Sequence, residues 1–546
     1  MGNNVSNLNA AAISPVVAVD VGTLNKSLLT EEVTDDLPKS FVGEDDEAGW
    51  HDLHMDIIMR ITQAGDSHQS VGVLRLLNRH WCHSVNQDIT SLRICSRKAH
   101  EAKVRVRDAI KIVEEKFRAI QHLKFSNVSS KFWPDVLVEA SLSQLMSLDL
   151  SRTKIKDVSL IGFSQLTKLK CLNLGRTTIG DAGMKHLSTL TDLEALELRR
   201  TNVGDAGLSH LKGLPNLQTL GLYKTKVTNA GIPHLLPHVK LQCLNLGVTL
   251  IDDSGAVHLS SLVNLATLDL QKVRVGDSCL GWVWLVNLKN LTSLNVSGTK
   301  LRDFGMPHLE ELTDLSTLML RNTKVGNAGL RSIGHLTRLT HLDLSRTAVT
   351  AGFGQALSFL TALTALHISR TPAEDQDFQV IAQFHNLTCL AAGRTKMKNS
   401  STAHLQGLTR LTHLDLSRSC IDNDGIAMLS TLTNLQELNL SHTHMKNAGL
   451  NALSVLTNMD CLALSGLHIT DHGLEALRKM VKIETLILES TYVTDLAVME
   501  LLTLTRLSRL DVRHTKITES GLQRLSKMMD IEEVKHSLEK AGEPQN

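Results

Sequence analysis

Cations recur at a fixed interval along this 546-residue chain: Arg152, Arg176, Arg200, Lys224, Lys272, Arg346, Arg370, Arg394 and Arg418. A row of guanidinium and ammonium groups can bind an anionic stripe on a partner. Five of the nine have an acid three residues earlier (Asp149, Glu197, Asp269, Asp343 and Asp415), a spacing that predicts pairing within the unit or with its neighbour along the ladder. Exposed pairs of that kind contribute little stability. Arg176, Lys224, Arg370 and Arg394 lack such an acid and are expected to stay open to a ligand. Arg199, Arg200, Tyr223 and Lys224 fall together on two adjacent stretches, and Tyr with Arg is the combination enriched at binding hot spots. An ordinary solvated strand edge explains the same residues equally well. His341, His367 and His413 share an outward-facing pattern, but no carboxylate or thiol is expected to complete a metal site with them. Cys171, Cys243, Cys389 and Cys461 share a column in non-adjacent stretches and are not expected to cluster. There is no phosphate loop, no HExxH and no Gly-x-Ser-x-Gly, so neither catalysis nor a cofactor is expected.

These side chains are positioned by a repeat. Units of the form Leu-x-x-Leu-x-Leu start at residues 145, 169, 193, 217, 241, 265, 291, 315, 339, 363, 387, 411, 435, 459, 483 and 507. The interval is 24 residues except once, where two extra residues enter around Gly281-Trp282-Val283-Trp284. The alternation predicts a short strand with its leucines inward. Thr follows eight positions after the start in thirteen of the sixteen units, broken at Val273, Ser419 and Leu467. A buried hydroxyl ladder at the exit from each strand is the expectation. Asp or Asn follows four positions later in fourteen units, where helix-start chemistry is expected: an oxygen near orphan N–H groups and charge at the dipole's positive end. Apolar residues at three-residue steps then predict one short helix or 3₁₀ segment per unit. No unit can bury its own face, so stacking must supply the core. Leucine therefore stands in for the aromatic residues, which make up only 3% of the chain.

This period and pattern resemble the leucine-rich repeat. The resemblance implies an α/β solenoid, a horseshoe with a parallel concave sheet and short convex helices. Residues 48–95 break the period. Leu53-x-x-Asp56 is followed by Ile57, Ile58 and Ile61, and a later apolar stretch with Leu76 closes on Arg79-His-Trp81 and Val85. Helical spacing is expected here, and the segment resembles an F-box, although His54 stands where the family usually has Pro. A plain helical cap over the solenoid end is the alternative. An F-box followed by leucine-rich repeats resembles the substrate receptors of Skp–cullin–F-box ubiquitin ligases. That resemblance implies docking on a Skp-type linker and a cullin complex through residues such as Leu53, Ile57, Ile58, Ile61, Leu76 and Trp81, with the repeats holding a protein substrate.

The ends and the composition complete the expectations. Residues 1–47 are read as a disordered acidic leader, 96–144 as irregular first units, 145–530 as the sixteen repeats and 531–546 as a cap or tail. Met1-Gly2-Asn3-Asn4-Val5-Ser6 fits the myristoylation pattern with Gly2 as acceptor, so a membrane-tethered scaffold without ligase function is the alternative. A lone acyl chain beside an acidic flank gives only weak membrane association. A net charge of +1 argues against nucleic acid as partner. Eight scattered cysteines and the lack of a secretory signal point to the cytoplasm, with the nucleus or a membrane surface as further sites.

Overall fold

Alternating leucines produce strands only three residues long, and their repetition builds a parallel sheet in each of two compact units, Met1–Ile251 and Asp252–Asn546. The computed structural model describes residues 16–20, 91–95, 120–126, 142–276, 281–528 and 531–536. In the first unit, Ser147–Asp149, Cys171–Asn173, Ala195–Glu197, Thr219–Gly221 and Cys243–Asn245 pair in unbroken register. In the second unit the same ladder runs from Thr267–Asp269 to Arg509–Asp511 and ends on Glu533–Lys535. The leucine at the middle of each repeat strand is buried, as are the apolar residues flanking the strand.

The first sheet also extends before the repeats, through His122–Ser126, Ser91–Cys95 and Val16–Asp20, all in parallel. These last two strands lie in ranges where the sequence suggests a disordered leader and the end of a helical segment. The three β-branched valines Val16, Val17 and Val19 have a strand propensity that the acidic composition obscures. Leu53, Ile57, Ile58, Ile61, Leu76, Trp81 and Gly2 all lie outside the described residues.

Each chain return is short, as in Asp205–Ser209, an α-helical turn that continues as the 3₁₀ segment His210–Gly213. The Thr column is buried except at the half-buried Thr347 and Thr515, but its bonds are local: Thr153 Oγ1 donates to the Leu150 carbonyl at 2.6 Å, and Thr177 and Thr201 repeat the bond. Ser419 makes the same bond to Leu416 and so preserves the pattern it seemed to break. The column is therefore a series of closed turns, one per repeat, and not a ladder running between repeats.

The Asp/Asn column also acts differently from the expectation. Side-chain caps belong to the preceding residue, as at Thr228, Asp252, Asp422 and Thr494. The Asp itself occupies the first helical position and reaches 23 residues ahead: Gly180 N–H donates to Asp157 and Gly204 N–H to Asp181, at 2.7 and 2.6 Å. Asn327, Asn399, Asp471 and Asp495 do the same in the second unit. Each side chain thus staples its repeat to the next. The glycine of the next repeat's Asp-Ala-Gly or Asn-Ala-Gly makes room for it, since a Cβ on Gly231 would lie 2.4 Å from Asp205 Oδ1.

The double-Trp insertion is absorbed by the core of the second unit. Trp282 is wholly buried and stacks on Trp284 with ring centroids 6.2 Å apart.

Candidate functional site

The chain leaves each strand through a left-handed turn. Arg152, Arg176, Arg200, Lys224 and Val248 in the first unit have φ between 55° and 60°. In the second unit Lys272, Arg346, Arg370, Arg394 and Arg418 have φ between 57° and 62°. The cationic column therefore sits just past the strands, in the turns. Each acid expected to neutralise it is occupied elsewhere. Asp149, Glu197, Asp269, Asp343 and Asp415 each accept the backbone N–H two residues on, at 2.8–2.9 Å. Asn173, Asn245, Asn295 and Asn439 make the same bond, so the column is a turn-former whether or not it is charged. The expected self-pairing is not seen among the described residues: Asp149 instead meets Lys124 at 3.0 Å, and no ion pair joins Asp149, Glu197, Asp343 or Asp415 to the cation three residues on.

The cations are exposed and repel one another. Arg152 and Arg200 hold the Arg176 guanidinium below its ordinary pKa. Arg370 is lowered by lost hydration and then by Arg346, Arg394, Arg321 and Arg418. In the first unit, Arg200 and Lys224 are exposed while Arg199 and Tyr223 are half-buried beside them. Arg199 Nε is buried without a hydrogen-bond partner, and its side chain packs where a Cβ on Gly175 would meet it at 2.9 Å. Glu197 lies beneath this group, and burial pushes its carboxyl pKa up against the opposing pull of the Arg199 N–H and charge.

The histidines line the sheet face of the second unit. His341, Cys389 and His413 fall in one register column, with His367 in the next. A thiol and a carboxylate do adjoin them: Cys389 Sγ is 3.6 Å from His367 Nε2, and His413 Nε2 is 3.5 Å from Glu437. Burial raises the Cys389 thiol pKa, which Glu437 and Asp415 reinforce, so the thiol form is favoured. Among the described residues no group of three or more such side chains converges as a metal site.

A model described as Leucine Rich repeat matches residues 165–188, 408–430 and 431–454. The fold is a leucine-rich-repeat solenoid. A leucine-rich-repeat protein of Leptospira interrogans aligns over 74% of this chain and 99% of its own, with 20% identity and a TM-score of 0.51. TLR13 in complex with ssRNA13 aligns over 84% of this chain and 66% of its own, with 19% identity and a TM-score of 0.51. A comparison with curated protein sequences finds no match. Among the described residues, no helix is long and apolar enough to cross a membrane.

Proposed function

We propose that this chain is a non-catalytic protein-binding module that serves as a substrate receptor of a Skp–cullin–F-box ubiquitin ligase. The observation that carries the binding role is the column of exposed side chains at the strand exits. The leucine core and the Asp staples hold the repeats without them. Arg199, Arg200, Tyr223 and Lys224 supply a polar aromatic patch, and Arg370 and Arg394 supply free positive charge. The ligase role rests on the resemblance of residues 48–95 to an F-box. Its mechanism is proximity: a captured substrate gains a high local concentration near the charged conjugating enzyme.

Affinity purification of the intact chain, compared with a chain lacking residues 48–90, tests the proposal. The Skp-type linker should co-purify only with the intact chain. Absence of the linker from both would remove the ligase role. A membrane-tethered scaffold is the second reading, carried by the Gly2 motif. It requires that Gly2→Ala release the chain from membranes, whereas the receptor role does not.

A further inference from the structure

The second unit contains four consecutive arginines at one repeat position: Arg346, Arg370, Arg394 and Arg418, each exposed and each at positive φ. The same turn position elsewhere in this unit is Lys272, Gly298, Asn322, His442, Gly466, Ser490 or His514, so the turn takes many residue types and four arginines in succession are a property of these repeats. Among the described residues, none of the four side chains makes an ion pair, and the residue before each is small: Ser345, Ser369, Gly393 and Ser417. The backbone holds the row in step, because Arg346, Arg370 and Arg394 N–H donate to the carbonyls of Ser369, Gly393 and Ser417 in the next repeat. The result is a row of exposed guanidinium groups, one per repeat, with no ion-pair partner among the described residues.

We infer that this run binds an acidic α-helical segment of a partner protein, with one carboxylate per arginine. The inference deepens the protein-binding role proposed above and rests on it. Neighbouring repeats are ~4.8 Å apart, so the four arginines span roughly 14 Å. Carboxylates at three- and four-residue steps on a helix recur every ~4.5–6 Å and keep pace with that spacing. Same-face residues of an extended peptide recur at ~6.6–6.8 Å and fall out of step. Single-stranded nucleic acid is disfavoured because it relies on aromatic stacking. The strand-face columns of this unit and the residues preceding the arginines contain no Phe, Tyr or Trp.

The test uses the full chain and fluorescence anisotropy with three probes. These are a helical peptide with four Glu residues at 3-4-3 spacing, its Gln counterpart, and a single-stranded oligonucleotide. The acidic peptide should bind, weaken as salt rises, and lose about tenfold in affinity in the double variant Arg370→Glu/Arg394→Glu. A thermal melt of that variant should match the parent, since both side chains are exposed and make no ion pair among the described residues. The inference is overturned by equal binding of the Gln peptide, by tighter binding of the oligonucleotide, or by an unchanged affinity in the double variant. Linker capture is measured on the same proteins. A chain that captures linker but ignores the acidic peptide defeats this inference alone, and one that binds the peptide without linker defeats the ligase role alone.

Discussion

Asp205 shows what one repeated acid does for this fold. It accepts both the N–H and the hydroxyl of Thr228, at 2.8 and 2.6 Å, and Gly231 leaves space for it. Asp205→Ala should cost about 1.5–3 kcal/mol, the usual worth of hydrogen bonds to a charged group. Gly231→Ala should cost a similar amount by driving the carboxylate off. The double variant should be clearly less destabilised than the sum, because the alanine methyl then enters vacated space. Urea midpoints measure this, and strict additivity would contradict the staple. His238 is the opposite case. It stands in a column of leucines, buried, with Nδ1 3.2 Å from the Leu214 carbonyl and Nε2 unpartnered. Burial lowers its pKa, with the Leu214 bond opposing. The unfolded chain therefore takes up a proton first. Stability is fully present above the unfolded histidine value of about 6.5 and is lost as pH falls from there toward the folded value. His238→Leu should stabilise by about 1 kcal/mol at neutral pH, and by more at pH 5 than at pH 8. Melting temperatures at the two values check the sign.

At the scale of elements, the turn of Phe353–Leu357 and the helix Asp375–Ile381 depart from the repeat and compensate each other. Ala351 occupies the staple position, so no side chain reaches forward from that repeat. Asp377, in the position usually held by glycine, is fully buried and reaches backward. It accepts Gly354 N–H at 2.8 Å, Gly352 N–H at 3.2 Å and Glu374 N–H at 3.0 Å. Asp377→Gly restores the consensus residue, yet it should destabilise by about 3 kcal/mol by orphaning those donors. Adding Ala351→Asp should recover part of the loss by restoring the forward staple to Glu374. Thermal melts of the single and double variants decide it. The strands, the position of the Thr column and the short return segments were legible in the sequence because period alone locates them, whereas the Thr bonds close local turns and form no ladder. The staple was not, because a column of Asp does not reveal whether each side chain bonds its own repeat or the next. The left-handed turn was hidden as well: Arg at that position gives no backbone signal of the kind Gly or Asn would give. The self-pairing of Asp343 with Arg346 looked natural by spacing, and fails because the carboxylate closes the turn that holds the arginine outward.

Across the molecule, stability comes from neighbour-to-neighbour stacking of leucines and staples, while the exits from the strands are left free for recognition. That division is what makes a binding role legible and a partner illegible, since the same scaffold holds any set of exposed side chains. The proposed receptor role requires that this chain couple such a surface to a Skp-type linker. Calorimetric titration of the purified full chain with a purified Skp-type linker tests it most directly. Saturable one-to-one binding is expected, abolished by Trp81→Ala together with Ile58→Asp, with no change in melting of the repeats. Absence of any heat of binding with the intact chain, or binding that survives the double substitution, would contradict it.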